Sequence, residues 1–123
     1  MEQESKRFSR TEQLLGADKM QKLKNSCVAI FGLGGVGGYS LEALVRSGVG
    51  KFILVDFDTV SESNLNRQIL ATVDTVGMLK TEAAERRAKS INPDVKIHKI
   101  SEFVDTMSEF NRISAFIMKG EDV

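Results

Sequence analysis

The sequence predicts an α/β fold in which a mostly parallel sheet is doubly wound with helices. Short apolar runs typical of buried strands alternate with segments whose apolar residues recur at helical spacing, in the order αβαβαβα. A glycine-rich turn, GLGGVG at 32–37, follows the first of these strands and opens the next helix. The length of 123 residues suits a single domain with one core.

The first half of the chain is predicted to contain a βαβ unit. Residues 1–10 form a polar arm, and the domain itself occupies 11–123. The predicted elements are a helix from Thr11, its cap, to Lys24, a strand buried on both faces over 27–31, a helix over 36–47 that Gly48 ends, and a strand over 52–55. Strand, glycine turn, helix and strand within about 30 residues require a parallel pair of strands.

The second half continues the alternation. The predicted elements are a polar loop over 58–68, a helix over 76–91 that Asn92-Pro93 stops, a third strand over 95–100 near an edge, and a last helix over 106–117 that Thr106 and Glu109 cap. Together with the first half, they complete a Rossmann-like domain.

Composition excludes several classes of protein. The 41% hydrophobic and 28% charged fractions are ordinary for a folded chain, and 17 basic residues balance 17 acidic ones, so no overall positive charge indicates nucleic acid. A single cysteine excludes an internal disulfide and a cysteine-based zinc site. No apolar stretch reaches the ~20 residues of a membrane span, and residues 1–10 lack the apolar core of a secretion signal. We therefore expect a cytoplasmic protein without a membrane span.

The glycine turn predicts a nucleotide site. In the G-x-G-x-x-G pattern, Gly32 permits the tight turn, Gly34 the close approach of a phosphate, and Gly37 the close packing of helix on strand. The helix that begins here offers unpaired N–H groups to an anion. Asp56 ends the second strand 24 residues after Gly32, near the spacing at which a carboxylate meets ribose hydroxyls.

A polar segment, DFDTVSESNLNRQ, follows the second strand and is unusual for a dehydrogenase. It places a group of polar side chains beyond the carboxyl ends of the strands, where ligands bind in this fold: Asp58, Asn64, Asn66, Arg67 and Gln68. Arg67 can grip phosphate oxygens with its two-pronged guanidinium, and Lys80 can add a second cation. Two cations suit a triphosphate better than a pyrophosphate that a helix dipole already holds.

Five stretches carry a family resemblance: RFSRTEQLLG, GLGGVGG, LVDFDTVSESNLNRQ, TVGMLKTE and INP. Over about residues 7–104 they resemble the ubiquitin-activating-enzyme-like superfamily of ThiF, MoeB and HesA proteins, which adenylate a carbonyl oxygen with ATP and magnesium. Within it, RFSRTEQLLG and EALVRSGVG are most similar to the bacterial tRNA threonylcarbamoyladenosine dehydratases. The resemblance implies ATP and Mg²⁺ as cofactors and a tRNA carrying threonylcarbamoyladenosine as the substrate, which is dehydrated to its cyclic form.

The resemblance also implies site residues. Gly35 and its neighbours would face the ATP phosphates, and Asp56 would hold the ribose. Asn64 and Arg67 would contact the ribose and phosphates, and Lys80 would contact the phosphates. Arg10 matches an arginine that crosses a dimer interface to the partner's ATP, which implies a homodimer. The candidate catalytic residues are Arg67, Lys80 and Arg10, and the candidate ATP-binding residues are Gly32, Gly34, Gly35, Gly37, Asp56, Asp58, Asn64, Asn66, Arg67 and Lys80.

The end of the chain departs from the family pattern. The family's magnesium-binding aspartate follows a fourth strand, and FNRISAFIMKGEDV at 110–123 does not match that strand. The metal ligand therefore stays unassigned, and the chain is expected to be the N-terminal, ATP-binding part of a ThiF-type domain, truncated at its C-terminal side.

Three alternatives stay open. The first is an adenylyltransferase for a ubiquitin-like sulfur carrier, with that carrier or a sulfurtransferase as its partner. The Cys-x-x-Cys pairs usual in such enzymes are missing from this sequence. The second is an NAD-dependent oxidoreductase, which the glycine turn alone would suit, and the third is an inactive nucleotide-binding fragment. Cys27 opens a strand and is expected to be structural, since the cyclisation needs no side-chain nucleophile.

Overall fold

The computed structural model describes residues 7–102, which form a parallel three-stranded sheet packed against helices. The elements in chain order are α1 (Ser9–Leu15), α2 (Ala17–Lys24), β1 (Cys27–Phe31), α3 (Val36–Ser47), β2 (Lys51–Val55), a short 3-10 helix (Glu62–Asn64), α4 (Lys80–Ile91) and β3 (Lys96–Ile100). This confirms the predicted α/β class with its parallel sheet. The helix predicted over 106–117 lies outside the described residues.

The sheet brings three strand ends to one edge. Its order is β1-β2-β3, and both pairs are parallel. In register, Phe31 pairs with Val55, and Val55 pairs with Ile100. The segments that follow these residues therefore leave the sheet side by side, and we call this side the ligand edge, because ligands of open α/β sheets bind beyond the carboxyl ends of the strands.

The main core lies between the sheet and the two helices α3 and α4. Phe52 and Leu54 of β2 are fully buried, and they belong to one apolar cluster with Leu41 and Val45 of α3. Each fully buried side chain of this size contributes about 1.5–3 kcal/mol to folding. Three small residues of α4 complete the cluster and let that helix approach the sheet closely: Ala83, Ala84 and Ala88. The core thereby fixes the start of both helices at the ligand edge.

The N-terminal helix is broken in two, so the prediction of one helix from Thr11 to Lys24 was wrong. Gly16 separates α1 from α2 with φ 87° and ψ 159°, a conformation outside the helical region. Helix α1 begins at Ser9, before the predicted start, and Phe8 ahead of it is buried. Thr11 is therefore an interior residue of α1, and the polar arm predicted over 1–10 overlaps the start of the fold.

The fourth helix begins at Lys80, four residues later than its predicted start at Val76. Gly77 has φ 89°, which a helix does not allow. Its N–H donates to the Val60 carbonyl at 2.8 Å, and the Val60 N–H donates to the Met78 carbonyl at 2.8 Å. The segment thus pairs with the polar loop instead of continuing the helix.

Burial of the outer strands differs from the prediction. Cys27 and Phe31 at the two ends of β1 are exposed, so this strand is not buried on both faces. Among the described strands, β1 and β3 are the outer ones and β2 alone is flanked on both sides. Strand β2 begins at Lys51, and not at 52 as predicted, and β3 begins at Lys96, and not at 95. Within 7–102, no helix is long and apolar enough to cross a membrane.

Candidate ligand site at the carboxyl edge of the sheet

The glycine turn leaves β1 in two left-handed steps. Gly32 has φ 89° and Gly35 has φ 54°, values that favour glycine. The Gly32 N–H donates to the Val55 carbonyl at 2.8 Å, so the turn starts directly from the β1–β2 ladder. A Cβ added at Gly32 or Gly35 would meet nothing within 4 Å. Backbone conformation, and not crowding, is thus what selects glycine at these two positions, and the space beside them is open.

Gly37 is selected by close contact instead. A Cβ on this residue would lie 1.8 Å from the Gly32 carbonyl oxygen and 2.9 Å from its carbon. The first turn of α3 therefore rests directly on the backbone of the glycine turn. This contact aims the start of α3 at the open space beside the turn.

The start of α3 carries no local anion. Gly35 occupies the N-cap position, which has no side-chain cap, and no acidic residue stands in the first turn. The first N–H groups of a helix lack intrahelical partners and carry a partial positive charge. A side chain would normally neutralise part of it, so this helix end is suited to an external anion.

Asp56 ties the glycine turn to the polar loop. Its Oδ2 accepts from the Leu33 N–H at 2.7 Å, and its Oδ1 accepts from the Asp58 N–H at 2.8 Å. The carboxylate thus joins the segments that follow β1 and β2. Each oxygen keeps further acceptor capacity, which a ribose hydroxyl can use.

Lys80 is the buried cation of the site. It is only 7% exposed, and it is the first residue of α4. Its N–H donates to the Asp58 carbonyl at 2.9 Å, while its Nζ lies 3.9 Å from Asp58 Oδ2. A buried ammonium with a partner at this distance is incompletely compensated, because a close hydrogen-bonded ion pair is about 1 Å shorter. The sequence placed Lys80 near the site but gave no sign of its burial.

The polar loop holds its own shape through Asn64. This residue is 7% exposed, and its Oδ1 accepts from the Ser61 N–H at 2.9 Å and from Ser61 Oγ at 3.0 Å. The Asn64 backbone carbonyl accepts from the N–H groups of Arg67 and Gln68. Asn64 therefore fixes the loop, with its amide oxygen engaged inside the loop.

Arg67 and Gln68 follow on the same turn. Arg67 is exposed, and its Nη1 donates to the Ser63 carbonyl at 2.8 Å and to Asn66 Oδ1 at 3.2 Å. The Gln68 amide lies against the glycine turn, since a Cβ on Gly34 would be 3.1 Å from Gln68 Nε2. Gln68 was absent from the predicted site residues, and its place in the polar cluster was the only signal for it.

The structure brings most of the predicted site residues into one set. Contacts lead from the glycine turn through Asp56 and Asp58 to Lys80, and from Gly34 through Gln68 to the loop that bears Arg67. Arg10 is exposed on α1, and no contact found among residues 7–102 joins it to this set.

Metal and thiol chemistry find little support in this part of the chain. Among residues 7–102, no group of three or more histidines, cysteines or carboxylates is placed to hold a metal ion. Both Asp56 oxygens already accept backbone N–H groups, so these residues do not supply Mg²⁺ with a ligand set of their own. Cys27 is exposed rather than buried, and desolvation raises the pKa of its thiol while Lys51 lowers it. The net rise disfavours a thiolate nucleophile.

Comparison with known proteins adds an independent finding. Residues 8–122 match the ThiF family. The chain is 47% identical over 90 residues to a tRNA threonylcarbamoyladenosine dehydratase of Bacillus subtilis, which covers 73% of this chain and 35% of that protein. It is 40% identical over 100 residues to ubiquitin-like modifier-activating enzyme 5 of Drosophila ananassae, covering 81% of this chain and 25% of that protein.

A solved structure matches as well. The crystal structure of E. coli tRNA N6-threonylcarbamoyladenosine dehydratase, TcdA, in complex with ATP superposes with a TM-score of 0.83 at 35% identity. The match covers 89% of this chain and 45% of that one. The chain thus spans between about a quarter and a half of the length of these relatives.

Proposed function

Because the chain belongs to the ThiF family, we propose that it is the ATP-binding part of an enzyme that adenylates a carboxylate. The single observation that carries this proposal is the ligand edge itself. There, an open glycine turn and an uncapped helix start share one set of contacts with the buried ammonium of Lys80. Backbone N–H groups and a partly compensated cation are what a polyphosphate needs.

In the proposed complex, different residues bind different parts of the nucleotide. The glycine turn and the start of α3 receive phosphate oxygens, and Lys80 and Arg67 neutralise their charge. Asp56 accepts from the ribose hydroxyls with its remaining lone pairs, while its two backbone contacts keep it in place. Asn64 acts indirectly, because it holds the loop from which Arg67 extends.

The chemistry proposed is electrostatic. A carboxylate oxygen of the substrate attacks the α-phosphorus of ATP, the acyl adenylate forms, and pyrophosphate leaves with its electron pair. Negative charge grows on the transferring and departing phosphates, which Lys80 and Arg67 stabilise. Arg10 is proposed to act across a homodimer on the partner's nucleotide. Mg²⁺ would neutralise phosphate charge when bound, and residues 7–102 hold no ligand set for it.

The proposed acceptor is the threonyl carboxylate of threonylcarbamoyladenosine in tRNA. Its support is the similarity to tRNA threonylcarbamoyladenosine dehydratases, one of them solved with ATP. Once the carboxylate is adenylated, an internal nitrogen or oxygen of the same nucleoside displaces AMP and closes the ring. Such an enzyme would work where tRNA is modified, in the cytoplasm.

A second candidate acceptor is the C-terminal carboxylate of a ubiquitin-like protein. The observation that favours it is the 40% identity to ubiquitin-like modifier-activating enzyme 5. Both candidates use the same adenylation step, so the ligand edge does not separate them. The acceptor assay below does.

Calorimetric titration of the 123-residue chain with ATP tests the nucleotide site. We expect ATP to bind, and Arg67→Ala or Lys80→Met to weaken binding by about 10- to 150-fold, because a hydrogen bond to a charged group contributes about 1.5–3 kcal/mol. Lys19→Ala on α2 is the matched control, since it removes an exposed positive charge from a helix whose end contacts Gly50 at the amino end of β2, opposite to the ligand edge. Tighter binding of NAD than of ATP, or equal binding by all variants, would contradict the proposal.

The acceptor is tested with substrates. Digestion and mass analysis of tRNA carrying threonylcarbamoyladenosine should show loss of one water after incubation with ATP and the enzyme. ATP–pyrophosphate exchange that depends on an added ubiquitin-like carrier would instead favour the second candidate. Neither result affects the calorimetric test, so the proposed ATP site and the proposed acceptor can be refuted independently.

A further inference from the structure

A groove lined by arginines lies on the helical face, outside the residues assigned to the nucleotide. It has two adjoining cavities of about 360 and 190 Å³, and Arg87 and Ser90 of α4 line both. Arg7 and Arg46 line the larger cavity, and Arg86 lines the smaller one. Among the arginines of residues 7–102, only Arg10 and Arg67 lie outside this groove.

Two of the guanidinium groups, those of Arg87 and Arg7, are held by hydrogen bonds, and that of Arg46 lies near a carboxylate. Arg87 Nε donates to Glu42 Oε1 at 2.6 Å, and Arg46 Nε lies 3.8 Å from Glu42 Oε2. Both contacts use Nε, so the two terminal nitrogens of each guanidinium take no part in them. Arg7 lies over the Phe8 ring at 5.9 Å, and its Nη1 donates to Asn92 Oδ1 at 3.2 Å. Guanidinium groups that are already hydrogen-bonded lose little conformational entropy when they bind an oxyanion.

The local charge is positive although the chain is neutral. The four arginines have two carboxylates near them: Glu42, which pairs with Arg46 and Arg87, and Asp74, in the lining of the smaller cavity. The net charge of the groove is therefore positive, against a formal net charge of zero for the whole chain. The hydroxyls in the lining are engaged within the protein: Ser90 Oγ donates to the Arg87 carbonyl, Thr75 Oγ1 to the Leu70 carbonyl and Thr72 Oγ1 to Thr75 Oγ1. The donors that the groove offers are therefore its guanidinium groups, which are among the side chains that contact nucleic-acid phosphates.

We infer that this groove binds the phosphodiester backbone of RNA. Two adjoining cavities that share Arg87 can take successive phosphates of one strand, whereas a single small anion would need only one. The apolar parts of Phe8 and Ile69 in the lining suit the sugar between phosphates. The inference rests on the proposed function, since it adds a contact surface for the tRNA whose carboxylate is activated.

Its position fits a contact away from the reacting nucleotide. Arg46 stands ten residues after the start of α3 at the glycine turn, which corresponds to about 15 Å along the helix. Arg87 stands seven residues after Lys80 on α4, or about 10 Å. A backbone held here leaves the ligand edge free for ATP and for the modified nucleoside.

Fluorescence anisotropy with an end-labelled tRNA transcript tests the inference. The 123-residue chain is titrated at several salt concentrations between about 50 and about 200 mM, because each phosphate contact adds about 0.7–0.9 to the salt slope of log affinity. The double variant Arg46→Gln/Arg86→Gln should bind about tenfold more weakly or worse and flatten the slope by about 1.4–1.8. Both side chains are exposed, so folding should survive, and circular dichroism checks it.

The matched control is Lys19→Gln/Lys22→Gln, which removes two exposed positive charges from α2. It should leave affinity within about twofold and the slope unchanged. Equal losses in both double variants, or no salt-dependent binding by the parent chain, would overturn the inference, as would equally tight binding of poly-glutamate. ATP titration of the same variants separates the two proposals, because loss of the groove should not change ATP affinity.

Discussion

The contact between Gly37 and Gly32 yields the sharpest prediction from the ligand edge. In Gly37→Ala the new Cβ would lie 1.8 Å from the Gly32 carbonyl oxygen, whereas real Cβ contacts essentially never fall below 3.0 Å. The obstacle is backbone, so no side-chain rotation relieves it. The first turn of α3 and the glycine turn must therefore separate by about 1 Å or more.

Two opposing terms set the size of the effect on stability. Alanine is favoured over glycine inside a helix by about 1 kcal/mol. Overpacking costs about 1–3 kcal/mol, and a contact this short lies at the upper end. We expect the free energy of unfolding to fall by about 1–2 kcal/mol in urea titrations. ATP affinity should fall by about tenfold or more, because the cradle of N–H groups moves by about 1 Å, a misplacement that in a catalytic site can lower the rate by about 100-fold.

Gly50→Ala is the matched control. Its Cβ would lie 2.1 Å from the Lys24 carbonyl oxygen, an equally severe backbone contact. Gly50 precedes β2, at the amino end of the sheet, away from the glycine turn. This variant should lose a similar amount of stability but keep its ATP affinity at temperatures where it is folded. If Gly37→Ala matched the parent chain in both measurements, the reasoning about the cradle would be refuted.

Two other changes probe neighbouring features. Asp56→Asn replaces one carboxylate oxygen with an amide NH₂ that cannot accept from a backbone N–H, so the free energy of unfolding should fall by about 1–3 kcal/mol in urea titrations. An unchanged midpoint would show that the contacts with Leu33 and Asp58 contribute nothing to stability. The raised pKa of Cys27 lowers its thiolate fraction, so iodoacetamide should alkylate it more slowly than free cysteine at pH 8, as mass spectrometry would measure. The pH midpoint of the alkylation rate should lie above the usual ~8.5, and a midpoint below that value would contradict the shift.

Local signals predicted the central part of the fold well. The helix over 36–47 and its end at Gly48 were predicted correctly, since apolar spacing defines the helix and the residue after it adopts φ 108°. The strand over 27–31 has its predicted bounds. At these places the chain's intrinsic preference and its tertiary packing favour the same structure.

Errors arose where distant residues decide the outcome. Residues 76–79 have helical spacing, but a positive φ at Gly77 and pairing with Thr59 and Val60 hold them in a turn that ends in a bridge at Leu79. Exposure of Phe31 depends on which strands lie beside β1, which periodicity does not report.

The same limit applies to the candidate site. Glycine spacing and residue chemistry located the ligand edge, because turn geometry and charge are written in the sequence. The separate roles of the polar-loop residues could not be predicted. Asn64 directs its amide oxygen toward Ser61 only because of the local path of the backbone, which the sequence pattern does not report. The burial of Lys80 likewise follows from how α4 packs.

The pairing of Lys80 with Asp58 gives the site a built-in competitor for its cation. In the proposed site, a phosphate that bound Lys80 would replace one anion by another at this ammonium, and the separation of 3.9 Å makes Asp58 a weak competitor. Ligands with more negative charge gain more from that exchange than ligands with less. If the proposed adenylation takes place here, a nucleotide that has lost its pyrophosphate would bind less tightly than ATP, and Asp58 beside the lysine would favour release of that product.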